Sequence, residues 1–387
     1  MAAEDWQAGG FGLYIHWPFC LAKCPYCDFN SHVAAEIEIG AWQSAYLSEI
    51  RRIGAETGPR VLDTVFFGGG TPSLMPPDLV AAILETVRET WPSANDMEVT
   101  LEANPTSVEA GRFAGYREAG VNRLSLGVQA LNDADLRRLG RMHDVAEARR
   151  AFDVAQRSFE RVSFDLIYAR QNQGLEAWRA ELQEALAMAA DHLSLYQLTV
   201  EPGTAFGDRQ ARGGLRGLPD DALGADMYAA TQEICEAAGF PAYEVSNHAR
   251  FGAESRHNLI YWRYGDYAGI GPGAHGRLTL GGTRWATETP LAPADWLRRV
   301  ESAGHGELPR QVLSREEQAT EYLLMGLRLS EGISLARYAR LAGSEIKYNK
   351  INELASMGLL VADGDALQAT ARGRSLLNAL IRELLPG

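Results

Sequence analysis

The sequence predicts an α/β fold in which a partial barrel of six strand and helix units is followed by an extension and a small winged-helix-like α+β module. Over the first 200 residues, short β-rich runs alternate with amphipathic stretches, as expected of parallel strands connected by helices. Only six units can be counted, whereas a closed barrel of this kind has eight. The barrel is therefore expected to be open on one side.

The candidate strands are six short apolar and β-branched runs, at 12–16, 64–67, 97–102, 123–126, 161–167 and 192–197. Helical patterns lie between them, near 37–57, 77–90, 107–119, 144–157 and 174–190. In barrels of this kind the reactive groups lie at the carboxyl ends of the strands. The residues that follow each strand are therefore the first place to look for a site.

The 387 residues divide into three predicted parts: the barrel at 1–200, the extension at 201–312 and the C-terminal module at 313–387. The extension has a helical pattern near 220–239, followed by a glycine- and aromatic-rich stretch at 261–276 that has too many glycines for a regular helix. We expect the extension to close or lengthen the open side of the barrel.

The C-terminal module combines helices with a short turn. A helical pattern at 346–359 is followed by Leu360 and Val361, by the turn 363–365 and by a last helix from about Thr370, which is typical of helices with a small β-wing. Such modules often bind DNA. However, 50 acidic residues against 37 basic ones give a net charge of -13, which disfavours nucleic acid as a partner. A structural or protein-contact role is expected instead.

The sequence has no sign of a membrane or export segment. No apolar run reaches the roughly 18 to 20 residues of a membrane-spanning helix. Residues 1–10 contain neither a basic nor an apolar signal region. A cytoplasmic protein without an integral membrane segment is therefore expected.

Three of the four cysteines, Cys20, Cys24 and Cys27, form a C-x3-C-x2-C run on the loop after the first predicted strand. Three thiolates can bind three irons of a cubane and leave the fourth iron without a protein ligand. A zinc site is the alternative, with His16 or His32 as a fourth ligand. The fourth cysteine, Cys235, lies in a helical pattern and is expected to be a core residue.

Polar or glycine-rich segments follow several other predicted strands. The second strand leads into a glycine run, 68–72, where the backbone can approach a ligand closely. Four polar side chains lie at or near later strand ends: Glu102, Gln129, Arg141 and Asp165. Singly, each is more simply explained as a solvated loop residue. Together they predict a ring of donors and acceptors at one barrel face.

The cysteine spacing on a strand-to-helix loop resembles the radical S-adenosylmethionine (SAM) superfamily. Within it, 13–20, 68–72, 123–129 and 165–168 are similar to the HemN/HemW group, and the resemblance covers nearly the whole chain. It implies a 4Fe-4S cluster on the three cysteines with SAM at the open iron. The SAM contacts that it implies are Tyr14, Tyr26, Gly69, Gly70, Thr71, Glu102, Gln129, Arg141 and Asp165.

The HemN/HemW group contains an oxygen-independent coproporphyrinogen III oxidase of porphyrin biosynthesis and a heme chaperone that passes heme to client hemoproteins, respiratory or other. The oxidase has a further cysteine where this chain has Phe29, and a long N-terminal arm, whereas this chain begins nineteen residues before Cys20. Residues 257–262 match the HNxxYW motif of the chaperone. These features favour the chaperone, with the oxidase as the alternative and no catalytic residue assigned.

The motif implies His257 as an axial ligand of heme iron, flanked by Tyr261 and Trp262. Without the resemblance, a histidine beside aromatic residues is more often a packed structural residue. The glycine-rich stretch that follows supplies His275 as an alternative ligand. One segment departs from the group: a usual Leu-Pro-Gly turn is absent from 167–173, which is expected to alter the loop near Asp165.

Overall fold

The computed structural model describes residues 4–34 and 36–385. Its strands are β1 (Phe11–Trp17), β2 (Phe19–Cys20), β3 (His32–Val33), β4 (Leu62–Gly69), β5 (Ser93–Ala103), β6 (Arg123–Gln129), β7 (Arg161–Tyr168), β8 (His192–Gln197), β9 (Asn247–Ala249), β10 (Asp266–Ile270), β11 (His275–Leu280), β12 (Thr283–Glu288), β13 (Gln311–Val312), β14 (Ile333–Ser334), β15 (Leu360–Asp363) and β16 (Ala366–Ala369).

The α-helices are α1 (Ile39–Thr57), α2 (Pro77–Thr90), α3 (Ser107–Ala110), α4 (Phe113–Ala119), α5 (Asp133–Arg138), α6 (Val145–Ser158), α7 (Leu175–Met188), α8 (Ala205–Ala211), α9 (Asp221–Ala237), α10 (Arg256–Trp262), α11 (Pro293–Ala303), α12 (Arg315–Gly326), α13 (Leu335–Ala342), α14 (Tyr348–Ser356), α15 (Ala371–Arg374) and α16 (Leu377–Leu384). Short 3-10 helices lie at Asp5–Ala8 and Pro72–Leu74. Within the described ranges, no helix is long and apolar enough to cross a membrane.

One large sheet organises most of the chain, with strand order β13-β12-β11-β10-β1-β4-β5-β6-β7-β8-β9. The six predicted strands are β1 and β4 to β8, and they pair in parallel in chain order, as the sequence predicted. Their side chains are buried on both faces, which is typical of parallel strands covered by helices. The predicted α/β fold with a parallel sheet is confirmed.

The segment after β8 adds strands to both sides of this sheet. β10 pairs in parallel with β1, and β11 to β13 continue antiparallel from it. At the other side, β9 pairs antiparallel with β8. Among the described residues β9 and β13 are thus the two edges, and this segment lengthens the sheet.

The helical pattern near 107–119 is confirmed, but the segment is not one continuous helix. The segment forms two helices, α3 and α4, with Gly111 and Arg112 between them. Thr106 caps the first one by accepting from the Glu109 backbone N–H. The break leaves Glu109 buried beneath the loop that follows β5, where its carboxylate accepts from the Asn104 backbone N–H at 2.8 Å.

Helix α10, which carries the predicted heme motif, packs against β1, β4 and β10 near their first residues. An added Cβ at Gly12 would lie 3.1 Å from Ile260 Cδ1 and 3.3 Å from His257 Cε1. The helix therefore covers the amino end of the barrel, opposite the carboxyl ends of the strands.

The C-terminal helices and hairpin have a core of their own, which includes Leu323, Leu367 and Ile381. β15 and β16 form an antiparallel hairpin around the turn at Gly364, and β14 pairs with β16. This is the predicted small β-wing among helices. Arg337 connects the module to the N-terminus through an ion pair with Asp5 at 2.8 Å.

The loop after β7, where the sequence departs from the group, contains two non-glycine residues in the left-handed region. Ala169 has φ 57° and Asn172 has φ 61°. Glycine adopts this conformation without the steric cost that an alanine Cβ brings. Between them, Arg170 is buried and forms ion pairs with Asp135 at 3.0 Å and Glu181 at 2.5 Å. These ion pairs hold the loop in its strained conformation.

Candidate functional site

A cavity of about 620 Å³ lies at the carboxyl ends of the parallel strands. Such cavities are where barrels of this kind bind ligands. The structure brings eleven of the predicted site residues to its wall: Cys20, Cys24, Tyr26, Cys27, Gly69, Gly70, Thr71, Glu102, Gln129, Arg141 and Asp165.

Cys20 ends β2, and Cys24 and Cys27 lie on the loop that connects β2 to β3; all three are free and line the cavity. Burial raises the pKa of the Cys20 and Cys27 thiols, so binding a metal would release protons. In residues 4–34 and 36–385, no three metal-binding side chains are arranged around a single ion. A 4Fe-4S cubane does not need three side chains around a single ion, because each of its cysteines binds a different iron. The donor set therefore fits a cluster with one open iron.

The glycine run that ends β4 packs directly against this cysteine loop. Gly70 donates to Trp17 O at 2.7 Å, and an added Cβ there would lie 2.8 Å from Phe19 O and 3.0 Å from Cys20 Sγ. Gly69 has φ 113°, which side chains rarely allow. Glycine is needed at position 70 because a side chain there would collide with the Phe19 backbone and with Cys20 Sγ. The run leaves backbone groups open to the cavity.

Two of the predicted site residues at the cavity, Glu102 and Asp165, carry carboxyl groups. Burial, and secondarily the charge of Asp165, raise the pKa of Glu102 to about 8. Burial also raises the pKa of Asp165 to about 6, although Ser194 and Ser125 donate to its carboxylate. The positive charge of a cationic ligand nearby would favour the ionised form of both groups.

Arg141 lies between the cysteine loop and the ends of β5 and β6. Its guanidinium donates to Cys24 Sγ at 3.4 Å, to Tyr26 Oη at 3.5 Å and to Gly127 O at 2.8 Å. It places a fixed positive charge beside the Cys24 sulfur. Its Nε has no partner among the described residues.

Gln129 ends β6 with a φ of 72°, at a point where the pairing of β6 with β7 shifts register. A non-glycine residue in this conformation is strained. Such strain is common at ligand sites, where surrounding structure holds it in place. The conformation leaves Gln129 on the cavity wall.

Two predicted contacts are not brought to the cavity wall. Tyr14 is half-buried, and its hydroxyl lies 3.0 Å from His16 Nδ1. His257 lies further towards the amino end, stacked on Phe66 with ring centres 5.0 Å apart. The structure thus separates these two residues from the other eleven, and their contacts with SAM and heme stay predictions.

Both ring nitrogens of His257 have hydrogen-bond partners. Nδ1 lies 2.7 Å from Thr64 Oγ1, and Nε2 lies 2.6 Å from Tyr261 Oη. Burial lowers the pKa of the imidazole to about 3. His275, by contrast, begins β11 with a side chain that is 58% exposed, 3.7 Å from Glu288. Only the second imidazole is open to solvent.

Several cavity residues were not predicted from the sequence. Asn104 directly follows β5 and lies between Thr71 and Arg141. The same rule that selected Glu102, a polar residue at a strand end, also applies to Asn104. Exposed apolar side chains surround the opening of the cavity: Leu21, Phe29 and Met142 are 58%, 60% and 67% exposed. No sequence pattern distinguishes these from ordinary surface residues.

Comparison with known proteins matches residues 14–183 to the Radical SAM superfamily and residues 313–376 to the HemN C-terminal domain. Heme chaperone HemW from Escherichia coli is 37% identical, over 96% of this chain and 97% of that protein. Mouse radical S-adenosyl methionine domain-containing protein 1, mitochondrial, is 42% identical, over 97% of this chain and 87% of that protein.

Among solved structures, coproporphyrinogen III oxidase (HemN) from Escherichia coli, described as a radical SAM enzyme, superposes with a TM-score of 0.80. The match covers 98% of this chain and 92% of that one at 21% identity, so it concerns the fold alone. The family is shown by the sequence matches that cover nearly the whole chain. The cysteine loop and the polar strand-end residues at the cavity are consistent with it. The chain therefore belongs to the HemN/HemW family of the radical SAM superfamily.

Proposed function

We propose that this chain is a heme chaperone, which holds a 4Fe-4S cluster, binds SAM at that cluster and passes heme to client hemoproteins, either respiratory or other ones. The observation that carries the proposal is the likeness to heme chaperone HemW along almost the full length of both chains. The decisive experiment is a heme transfer assay. Heme-loaded protein is mixed with an apo-hemoprotein, and the Soret band of the acceptor is followed.

The cavity supports the cluster and SAM parts of the proposal. Cys20, Cys24 and Cys27 would hold the cluster at one wall. For SAM, the planar fork of Arg141 suits a carboxylate, and Glu102 suits ribose hydroxyls or the amino group. The backbone at Gly69 and Gly70, the side chains of Thr71, Gln129 and Asp165, and the ring of Tyr26 would complete the contacts. When bound, the reduced cluster and SAM supply radical chemistry.

We expect reconstituted protein not to convert coproporphyrinogen III to protoporphyrinogen IX, even with reductant and SAM. The reason is Phe29, a 60% exposed apolar side chain at the cavity opening, where the oxidase has a further cysteine. Product is measured by porphyrin fluorescence after oxidation, with Escherichia coli HemN as the positive control. Multiple turnovers by this chain would favour the oxidase alternative.

The heme site has two candidate ligands, and the structure gives them different access. For His257 to bind iron, its hydrogen bonds to Thr64 or Tyr261 must first break, since both nitrogens are engaged. His275 needs no such rearrangement. Two flanking arginines that suit propionates, Arg256 and Arg263, already form ion pairs with Asp96 and Glu331. Heme binding at the motif would therefore involve movement of α10.

We expect the double substitution His257→Ala with His275→Ala to abolish the Soret shift on heme titration while iron content in the cluster stays unchanged. An imidazole is the usual axial ligand, and these are the two candidates. The single variants identify which one binds. As a matched probe, Tyr261→Phe frees His257 Nε2 and should strengthen heme binding if His257 is the ligand. An unchanged spectrum in the double variant would remove both histidines from the heme site.

We propose the cytoplasm as the compartment, because reducing conditions keep the thiols available for a cluster. The mouse relative, by contrast, is described by its name as mitochondrial.

For the C-terminal module we propose a structural or protein-contact role, in keeping with the net charge of -13.

A further inference from the structure

Thr71 and Arg141 donate hydrogen bonds to two of the three cysteine sulfurs, and both donors are connected to one amide; the third sulfur, Cys27 Sγ, lies 4.0 Å from Ser31 Oγ. Thr71 Oγ1 donates to Cys20 Sγ at 3.3 Å, and Arg141 Nη1 donates to Cys24 Sγ at 3.4 Å. Asn104 Nδ2 donates to Thr71 Oγ1 at 3.3 Å, and Asn104 Oδ1 accepts from Arg141 Nη2 at 2.5 Å. The Asn104 side chain thus connects the donors of two sulfurs.

The chemistry of these groups determines which atom donates in each hydrogen bond between Arg141, Asn104, Thr71 and Cys20. A guanidinium has only donors, so the Asn104 carbonyl oxygen must face Arg141. The amide nitrogen is then left for Thr71 and can only donate to it. Because the Thr71 hydroxyl already accepts from Asn104, its own hydrogen is free to point at Cys20 Sγ. The orientation of one amide therefore determines that Thr71 donates to sulfur.

Asn104 is itself held firmly. Its backbone N–H donates to Glu109 Oε2 at 2.8 Å, and the buried Glu109 carboxylate also accepts from Ser73 Oγ. Asn104 begins the turn after β5, so the sheet fixes its position relative to β4 and the glycine run. The amide is preorganised before any ligand binds.

We propose that Asn104 is a positioning residue that sets the reduction potential of the cluster through Thr71 and Arg141; this rests on the proposed cluster site. Hydrogen bonds to cluster sulfurs stabilise the additional negative charge of the reduced state and raise its potential. Substitution of Asn104 removes one hydrogen-bond acceptor of the Arg141 guanidinium. It also removes the donor to Thr71 Oγ1, so that the Thr71 hydroxyl can rotate away from Cys20 Sγ. The reduced cluster then loses a hydrogen bond at the Cys20 sulfur, and the guanidinium beside the Cys24 sulfur is held less firmly.

The test is an anaerobic redox titration of the reconstituted full chain, monitored by electron paramagnetic resonance before SAM is added. Asn104→Leu, which is neutral and of similar shape, and Asn104→Ala should both move the midpoint to a more negative potential. Thr71→Val should give a smaller negative shift, because it removes one sulfur donor. Thr71→Ser keeps the hydroxyl and should recover most of the midpoint. The double variant Asn104→Leu with Thr71→Val should shift by less than the sum.

A wild-type midpoint in Asn104→Leu with full iron content overturns the proposal. If neither Asn104 variant retains iron, Thr71→Val decides: an unchanged midpoint there also overturns it, and a negative shift that Thr71→Ser reverses supports it. Iron analysis of the wild-type chain comes first. Absence of iron there would contradict the cluster site itself, and heme transfer does not enter any of these measurements.

Discussion

Replacement of any one of Cys20, Cys24 and Cys27 by alanine is expected to abolish the cluster. Anaerobically reconstituted wild-type protein should contain about four irons per chain, as one cubane requires, and each variant close to none. Only three thiols line the cavity, so loss of one leaves two irons of the cubane without a protein ligand. Iron and sulfide analysis and the cluster absorbance measure the effect.

Cys235 provides the matched control for this experiment. It is buried in α9 and is absent from the cavity wall. Cys235→Ala removes a sulfur atom from the core and should keep about four irons per chain. Stoichiometric zinc without iron in the wild-type protein would contradict the cluster and support the zinc alternative. Full iron content in any of the three loop variants would contradict the assignment of that cysteine.

Local sequence patterns predicted the parts of the site that lie on single loops. The cysteine motif and the glycine run each consist of a few consecutive residues, so the sequence alone identifies them. Both line the cavity. The six parallel strands were predicted because alternation of apolar strands and amphipathic helices is a local signal. Glu102, Gln129 and Asp165 followed from one rule, that the carboxyl ends of parallel strands meet at the same face.

The remaining features depend on contacts between distant segments. His257 lies beneath the barrel because α10 packs there, and no pattern within α10 specifies that location. The role of Asn104 comes from Thr71 and Arg141, which are 33 and 37 residues away.

Glycines in 261–276 were too many for a regular helix, and β10 and β11 lie within or across this stretch. Close packing of the backbone explains these glycines. A Cβ at Gly269 would lie 2.0 Å from His275 O, and one at Gly271 would lie 2.3 Å from His16 O. The glycines that excluded a regular helix thus lie where the backbones of β1, β10 and β11 pack closely together.

The carboxyl group of Glu102 should make SAM binding dependent on pH. Burial and the nearby Asp165 raise its pKa to about 8, so in the ligand-free protein it is largely protonated below that pH. SAM carries a permanent positive charge on its sulfonium, which favours the ionised carboxylate and lowers this pKa on binding. Below pH 8, binding must therefore release a proton from Glu102, and it becomes weaker as the pH falls.

We expect the Kd for SAM to fall as the pH rises from 6 to 8, with a limit of about tenfold per pH unit for one released proton. Isothermal titration in buffers of different ionisation enthalpy measures both the Kd and the proton count. Glu102→Gln cannot titrate, so the variant should bind with a smaller pH dependence. S-adenosylhomocysteine keeps the amino group and the ribose but lacks the sulfonium charge, and it should also show a smaller slope. Equal slopes for the wild-type chain and Glu102→Gln would show that another group, such as Asp165 or the amino group of SAM, is responsible.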